Sequence, residues 1–157
     1  TLHLGLQPAR DERSMYDVLT GNVELSDVWR EGGENLWLAG SHIDLAAAEV
    51  ELVGVVGREV ILRDKLARVC NQFDYVFIDC PPSLGILTIN ALSTVDDVFL
   101  PLQPHFLALH GLSKLLQTVD LVHRRLNDRL RLAEYLDAMR EIERLVGSKP
   151  SVLSIGT

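Results

Sequence analysis

Two rhythms of apolar and polar positions alternate along the chain, and the switches between them mark its elements. Ser14 to Leu19 predicts a short helix, capped by Ser14, with Asp17 three residues on completing a box-like pattern. Thr20-Gly21-Asn22 closes it, glycine tolerating the left-handed backbone of a helix C-cap. A second capped turn is expected at Ser26-Asp27-Val28-Trp29. Gly32-Gly33 then breaks the chain before Leu36-Trp37-Leu38-Ala39, four apolar residues between turn formers, which predict a buried strand. Asp44 to Val56 carries helical spacing in Leu45, Ala48, Leu52 and Val55, with Asp44 as the N-cap. A further helix is predicted from Val60 to Cys70, with Ile61, Leu62, Leu66 and Val69 inward.

Asp74-Tyr75-Val76-Phe77-Ile78-Asp79 reads as a strand apolar on both faces, the mark of a central parallel strand covered by helices. Residues 88–95 predict a helix and Val98 to Leu102 another buried strand. Leu112 to Val146 contains neither Gly nor Pro, so one long helix or two close ones are expected there. The alternation predicts an α/β fold, a mainly parallel sheet with helices on both faces. In such folds the C-terminal ends of the strands share one edge, where ligands bind.

Composition narrows the class. The 157 residues suit one domain, and 47% hydrophobic with 24% charged residues is globular rather than disordered. No apolar run approaches the roughly 20 residues of a membrane-spanning helix. Thr1 to Arg10 lacks the basic and apolar blocks of a signal peptide, and the missing initiator Met suggests an excerpt or a processed chain. Cys70 and Cys80 have no metal-ligand spacing and read as reduced, packed thiols of a cytosolic protein. His105 and His110 lack an acidic partner at helical spacing, so no histidine metal site is predicted. Trp29 and Trp37 read as core or cover. Charge is lopsided: residues 1–110 carry 7 Lys and Arg against 16 Asp and Glu (net −9), residues 111–157 carry 8 against 6 (net +2). Nucleic-acid binding by the whole surface is therefore excluded. Arg124, Arg125, Arg129 and Arg131 form a local basic cluster, either a solvated helix face or a contact for the DNA backbone.

The segment that carries chemistry is Asp74 through Gly85, DYVFIDCPPSLG. A carboxylate straight after four apolar strand residues stands at the sheet's ligand edge, where it needs a cation or several donors. In P-loop nucleotidases that position orders Mg²⁺. The bland alternative is a strand-end Asp capping the next helix. Two prolines stop the strand, and Gly85 is expected to let the loop bend freely.

At this point the sequence resembles the ParA/Soj partition ATPases, in the larger group that includes MinD. The resemblance is carried by Ser14 to Gly21, Asn35 to Ala46, Asp74 to Leu92 and Val98 to Leu116, and covers residues 1–131 in order. It implies a P-loop nucleotidase fold, ATP and Mg²⁺ as cofactors, and an ATP-dependent dimer switch of chromosome or plasmid partitioning. A ParB-like partner protein, non-specific DNA binding, a homodimer and a cytoplasmic, nucleoid-associated location are further implications. Asp79 looks like the carboxylate that holds Mg²⁺ through water, and Pro81, Pro82, Ser83, Leu84 and Gly85 like the second switch. Gln103 and Pro104 are expected near the same crevice, and the Arg124, Arg125, Arg129 and Arg131 cluster would serve DNA.

Two departures qualify the match. The family's Lys-Gly-Gly-x-Gly-Lys-Thr loop and its second aspartate occur nowhere in the sequence, and Thr1 to Leu6 resembles the piece just downstream of them. The chain as given is therefore expected not to bind or hydrolyse ATP. Beyond residue 131 the pattern diverges: Leu132, Leu136, Met139 and Val146 predict a helical tail over 132–157, from a replaced terminus or from true divergence. The competing function is a non-enzymatic interaction module on the same scaffold. A response-regulator-like domain is the weaker third reading.

Overall fold

The computed structural model describes residues 9, 11–81, 83–100, 108–133 and 151–156. Helix α1 (Met15–Thr20) starts where the cap predicts: the Ser14 amide donates to Asp17 Oδ2 (2.8 Å) and the Tyr16 amide to Ser14 Oγ (3.3 Å). Gly21 ends it, but in an extended rather than a left-handed conformation (φ −123°). Glycine is suited there because a Cβ would stand 2.9 Å from the Asp17 carbonyl oxygen. The next turn, Leu25–Asp27, is capped by Glu24, two residues earlier than the Ser26 reading.

The sheet begins with a hairpin, β1 (Trp29–Gly33) antiparallel to β2 (Leu36–Ala39), turned through Asn35 at φ 58°. Asparagine tolerates that left-handed position. β1 departs from the expectation: Arg30 and Glu31, adjacent and both exposed, put a charge on each face of the strand, and such charges suit an outer strand. α2 (Leu45–Glu51) ends sooner than its periodicity predicts, running into a tight turn at Leu52–Gly54. Leu45, Ala48 and Leu52 are buried as expected, but Val55 is 43% exposed. Asp44 occupies the N-cap position without making a side-chain cap bond. α3 (Ile61–Leu66) is likewise shorter than the predicted helix, with tight turns at Arg58–Val60 and Cys70–Gln72.

β3 (Tyr75–Ile78) leads into α4 (Ile86–Thr94) and then β4 (Asp97–Val98). α5 (Ala108–Arg125) stops well before Val146, because the chain turns at Asn127. The Asn127 side chain donates to the carbonyls of Leu92 (3.0 Å) and Val95 (2.6 Å), tying this turn to the end of α4. β5 (Arg131–Leu132) follows, parallel to β4, and the boundary expected at 131/132 falls within it. Most of the predicted tail helix lies outside the described residues, as do Thr1 to Leu6.

The largest correction is β6 (Val152–Ile155): the end of the tail expected to be helical over 132–157 is a strand, because it pairs with β2 and β3. The four-stranded sheet runs β1-β2-β6-β3, with β6 parallel to both neighbours: Leu36, Val152 and Tyr75 stand in register, and so do Ala39, Ile155 and Ile78. β3 is therefore an edge strand of the described sheet, not its centre, and Phe77 is 38% exposed. The strand ends are ordered 39, 155, 78, and the 97–98 strand belongs to a second ladder. Two cores result. One gathers Val18, Leu25, Leu52, Leu87 and Leu153 around the larger sheet; the other joins Leu92, Val119, Val122 and Leu130. α4 contributes to both and holds them together. Trp29 and Trp37 each meet the ring of Phe73 edge-on, at 5.1 and 5.5 Å, as the core reading expects.

Candidate functional site

The three parallel strands end side by side. After β2 comes Gly40, whose carbonyl accepts from the Met15 amide (3.0 Å). After β6 comes Gly156, whose amide donates to Ala39 O (3.1 Å) and whose carbonyl accepts from Ser41 Oγ (2.6 Å). After β3 comes Asp79, whose amide donates to Ile155 O (2.9 Å). Asp79 is exposed, so the strand delivers a carboxylate to the solvent side of this edge rather than into the core.

The loop from Cys80 to Gly85 carries Asp79 over to α4. Pro81 is half-buried, Ser83 is exposed, and the Ser83 carbonyl accepts from Thr88 Oγ1 (2.5 Å), folding the loop back on the helix. Pro82 and Gln103 lie outside the described residues. Beneath the loop is a cavity of about 20 Å³, lined by Ile78, Cys80, Pro81, Asn90 and Gly156 among others, which is room for about one water. Burial and the neighbouring Asp79 charge push the Cys80 thiol up to about 11. Both cysteines are free, and both are exposed instead of packed.

Two side chains that sequence reasoning passed over organise this edge. Asn90 is fully buried on α4: its Oδ1 accepts from the Leu62 amide (3.1 Å) and its Nδ2 donates to the carbonyls of Arg58 (2.6 Å) and Ile86 (3.0 Å). A buried amide so satisfied fixes α4 against α3. Its signal was present, within the Asp74 to Leu92 stretch that carries the resemblance. Glu49 on α2 reaches the start of α4 beside Gly85, and no spacing in the sequence links the two.

The sequence model of the AAA-domain family matches residues 1–132. The chain belongs to the ParA/Soj family. It is 43% identical over 148 residues to the sporulation initiation inhibitor protein Soj of Bacillus subtilis, covering 94% of this chain and 58% of that protein. It is 46% identical over 118 residues to the chromosome-partitioning ATPase Soj of Treponema pallidum, covering 74% of this chain and 47% of that one. The chain thus spans about half the length of the curated relatives it matches. In three dimensions it is similar to cobyrinic acid a,c-diamide synthase from Mycobacterium smegmatis with bound ATP analog and magnesium, with a TM-score of 0.78 and 35% identity over 94% of this chain and 64% of that one. The fold is that of the P-loop nucleotidases.

Against that fold, the residues present fit a nucleotide only at its metal end. Asp79 is a carboxylate at the right strand end, but no group of three or more His, Cys, Asp or Glu that could hold a metal occurs among the described residues. The chain's lysines are Lys65, Lys114 and Lys149, and none stands in a Gly-rich run. Lys65 is held elsewhere, by Glu24 (3.1 Å) and the Val23 carbonyl (3.0 Å). No Gly-rich Lys-containing loop of the kind that cradles phosphates occurs in the sequence.

The arginine cluster is mostly engaged. Arg124 pairs with Asp120 (2.9 Å), Arg129 with Asp96 (3.3 Å) and Arg131 with Asp97 (2.5 Å), all on the surface. Arg125 is exposed and has no carboxylate partner among the described residues. No helix among the described residues is long and apolar enough to cross a membrane.

Proposed function

We propose that this chain is the Mg²⁺-binding and switch portion of a ParA/Soj-type partition ATPase, whose phosphate-binding loop must be supplied by residues outside the 157. The observation that carries the reading is the placement of Asp79: an exposed carboxylate at the end of β3, followed by a loop anchored on α4 and seated over a small cavity. In this role Asp79 orders the metal through water, and Pro81, Pro82, Ser83 and Gly85 form the segment that responds to the terminal phosphate. By family likeness alone, Gln103 is proposed to serve the same nucleotide. Bound ATP·Mg²⁺ would supply the charge around which two copies of the intact protein close.

The free edges of the two ladders fit this reading. Tyr75 and Asp79 direct their amides to β6, so by the alternation of a strand the amides of Val76 and Ile78 face the opposite side of β3, where no described strand pairs. β4 is also paired on one side only. A strand leading into a phosphate loop would have two edges to join. DNA contact by Arg124, Arg125, Arg129 and Arg131 requires opening three surface ion pairs, each worth at most about 1 kcal/mol, so it is energetically open to the protein. A ParB-like partner protein and a cytoplasmic, nucleoid-associated location complete the proposal by family likeness.

The test uses the chain extended at its N-terminus with a Gly-rich loop segment of a family member. A fluorescent ATP analogue should bind with a Mg²⁺ dependence that Asp79→Ala abolishes while metal-free affinity changes little. Mg²⁺ dependence unchanged in Asp79→Ala removes Asp79 from the metal site. An extended chain that folds but binds no nucleotide favours the interaction-module alternative.

A further inference from the structure

Gly85 has an extended backbone, φ −83° and ψ −169°, a conformation open to any residue. The expectation that glycine serves here to bend the loop is therefore not what the geometry requires. What glycine does here is spatial: a Cβ at Gly85 would displace the carboxylate of Glu49, the flexible end of a side chain whose Cδ and both oxygens crowd that position. Glu49 projects from α2, and its Oε1 is enclosed by protein with no hydrogen-bond donor among the described residues. A buried carboxylate oxygen without a donor is unfavourable and calls for an explanation. Next to it, α4 begins at Gly85 with no side-chain cap, and its first internal bond runs from the Ile89 amide to Gly85 O (3.1 Å). The first-turn amides of a helix seek acceptors, and the positive end of the helix dipole favours a carboxylate. An acceptor without a donor thus adjoins a helix start without a side-chain acceptor.

We propose that Glu49 is the positioning residue of the loop before α4. Its carboxylate occupies the space over Gly85 and sets where the helix begins. When the loop shifts, that carboxylate becomes the acceptor for the first turn of α4, so α2 and the loop move as a coupled pair. The functional consequence, a loop held ready to respond to a terminal phosphate, rests on the switch reading given above; the contact itself does not.

The experiment is a double-mutant cycle on the full chain, read by hydrogen exchange of the peptide spanning residues 83–90 and by urea unfolding, with no nucleotide present. Gly85→Ala should accelerate exchange in that peptide about tenfold, the size expected for residues in contact, and most of that effect should vanish in a Glu49→Ala background. Glu49→Gln, which keeps the shape and an acceptor oxygen, should match the parent protein and stay sensitive to Gly85→Ala. If Gly85→Ala alone does not fold, recovery of folded protein on adding Glu49→Ala supports the proposal equally. Equal effects of Gly85→Ala in both backgrounds, no effect in either, failure to fold in both, or a Glu49→Gln protein that behaves like Glu49→Ala would each overturn it. Because nucleotide is absent, a failure of ATP binding in the extended chain leaves this result untouched, and the reverse also holds.

Discussion

Leu153→Ala is the substitution that probes the fold hardest. Leu153 has 0% exposure and stands mid-strand in β6, in register with Trp37 on one side and Val76 on the other. Truncation removes three carbons from the larger core, worth about 2.4 kcal/mol at roughly 0.8 kcal/mol each. Strands bonded on both sides cannot easily close the gap, so the residual cavity brings the loss to about 3–4 kcal/mol. A domain of this kind has on the order of 5–15 kcal/mol in total. Urea unfolding followed by far-ultraviolet circular dichroism measures it: with a slope of about 2 kcal/mol/M the midpoint falls by roughly 1.5–2 M. Leu132→Ala, at a β5 residue 45% exposed, is the control and should cost below about 1 kcal/mol. A Leu153→Ala loss no larger than the control's, at unchanged slope, would refute the placement of β6 inside the sheet.

Two further outcomes follow from single contacts. The Ser151 amide (2.8 Å) and then its hydroxyl (2.8 Å) donate to Asp74 Oδ2 and hold its carboxyl below the usual carboxylate range. A depressed folded pKa adds stability above the ordinary carboxylate range, about pH 4, which is lost as pH falls through the lowered value. Ser151→Ala should raise the Asp74 midpoint toward normal in an NMR titration, and an unchanged midpoint would mean the hydroxyl does nothing. Both thiols are exposed, but the Cys80 thiol, pushed up to about 11, should resist iodoacetamide at pH 8 while Cys70 is alkylated, since the thiolate is the nucleophile. Peptide mass mapping that shows both modified at equal rates would contradict the raised Cys80 thiol.

What the sequence made legible was whatever is local. The Ser14–Asp17 cap, the apolar runs of β2 and β3, and the helix after Gly85 are encoded within a few residues and appear where the pattern predicts. Helix lengths were overread, because the apolar spacing of α2 continues to Val55 while the helical backbone stops at Glu51 and Gly54 is already in a tight turn. β1 escaped because an outer strand needs no apolar face. β6 escaped for a different reason: Val152 to Ile155 is too short to declare a partner, and its place between β2 and β3 is set by strands far away in sequence. That long-range pairing also demoted β3 from centre to edge. In the site, Asp79 was visible through its strand and its neighbours, whereas Glu49 became visible only once α2 and the loop before α4 were seen to meet.

The central claim is that this chain holds the metal-side carboxylate of a ParA/Soj nucleotide site without the phosphate cradle. Isothermal titration of ATP·Mg²⁺ into the 157-residue chain, beside the same chain extended by the Gly-rich loop segment, tests it most directly. No saturable heat is expected from the chain alone, and micromolar binding, roughly −8 kcal/mol, is expected once the loop is restored. Micromolar binding by the chain alone would contradict it.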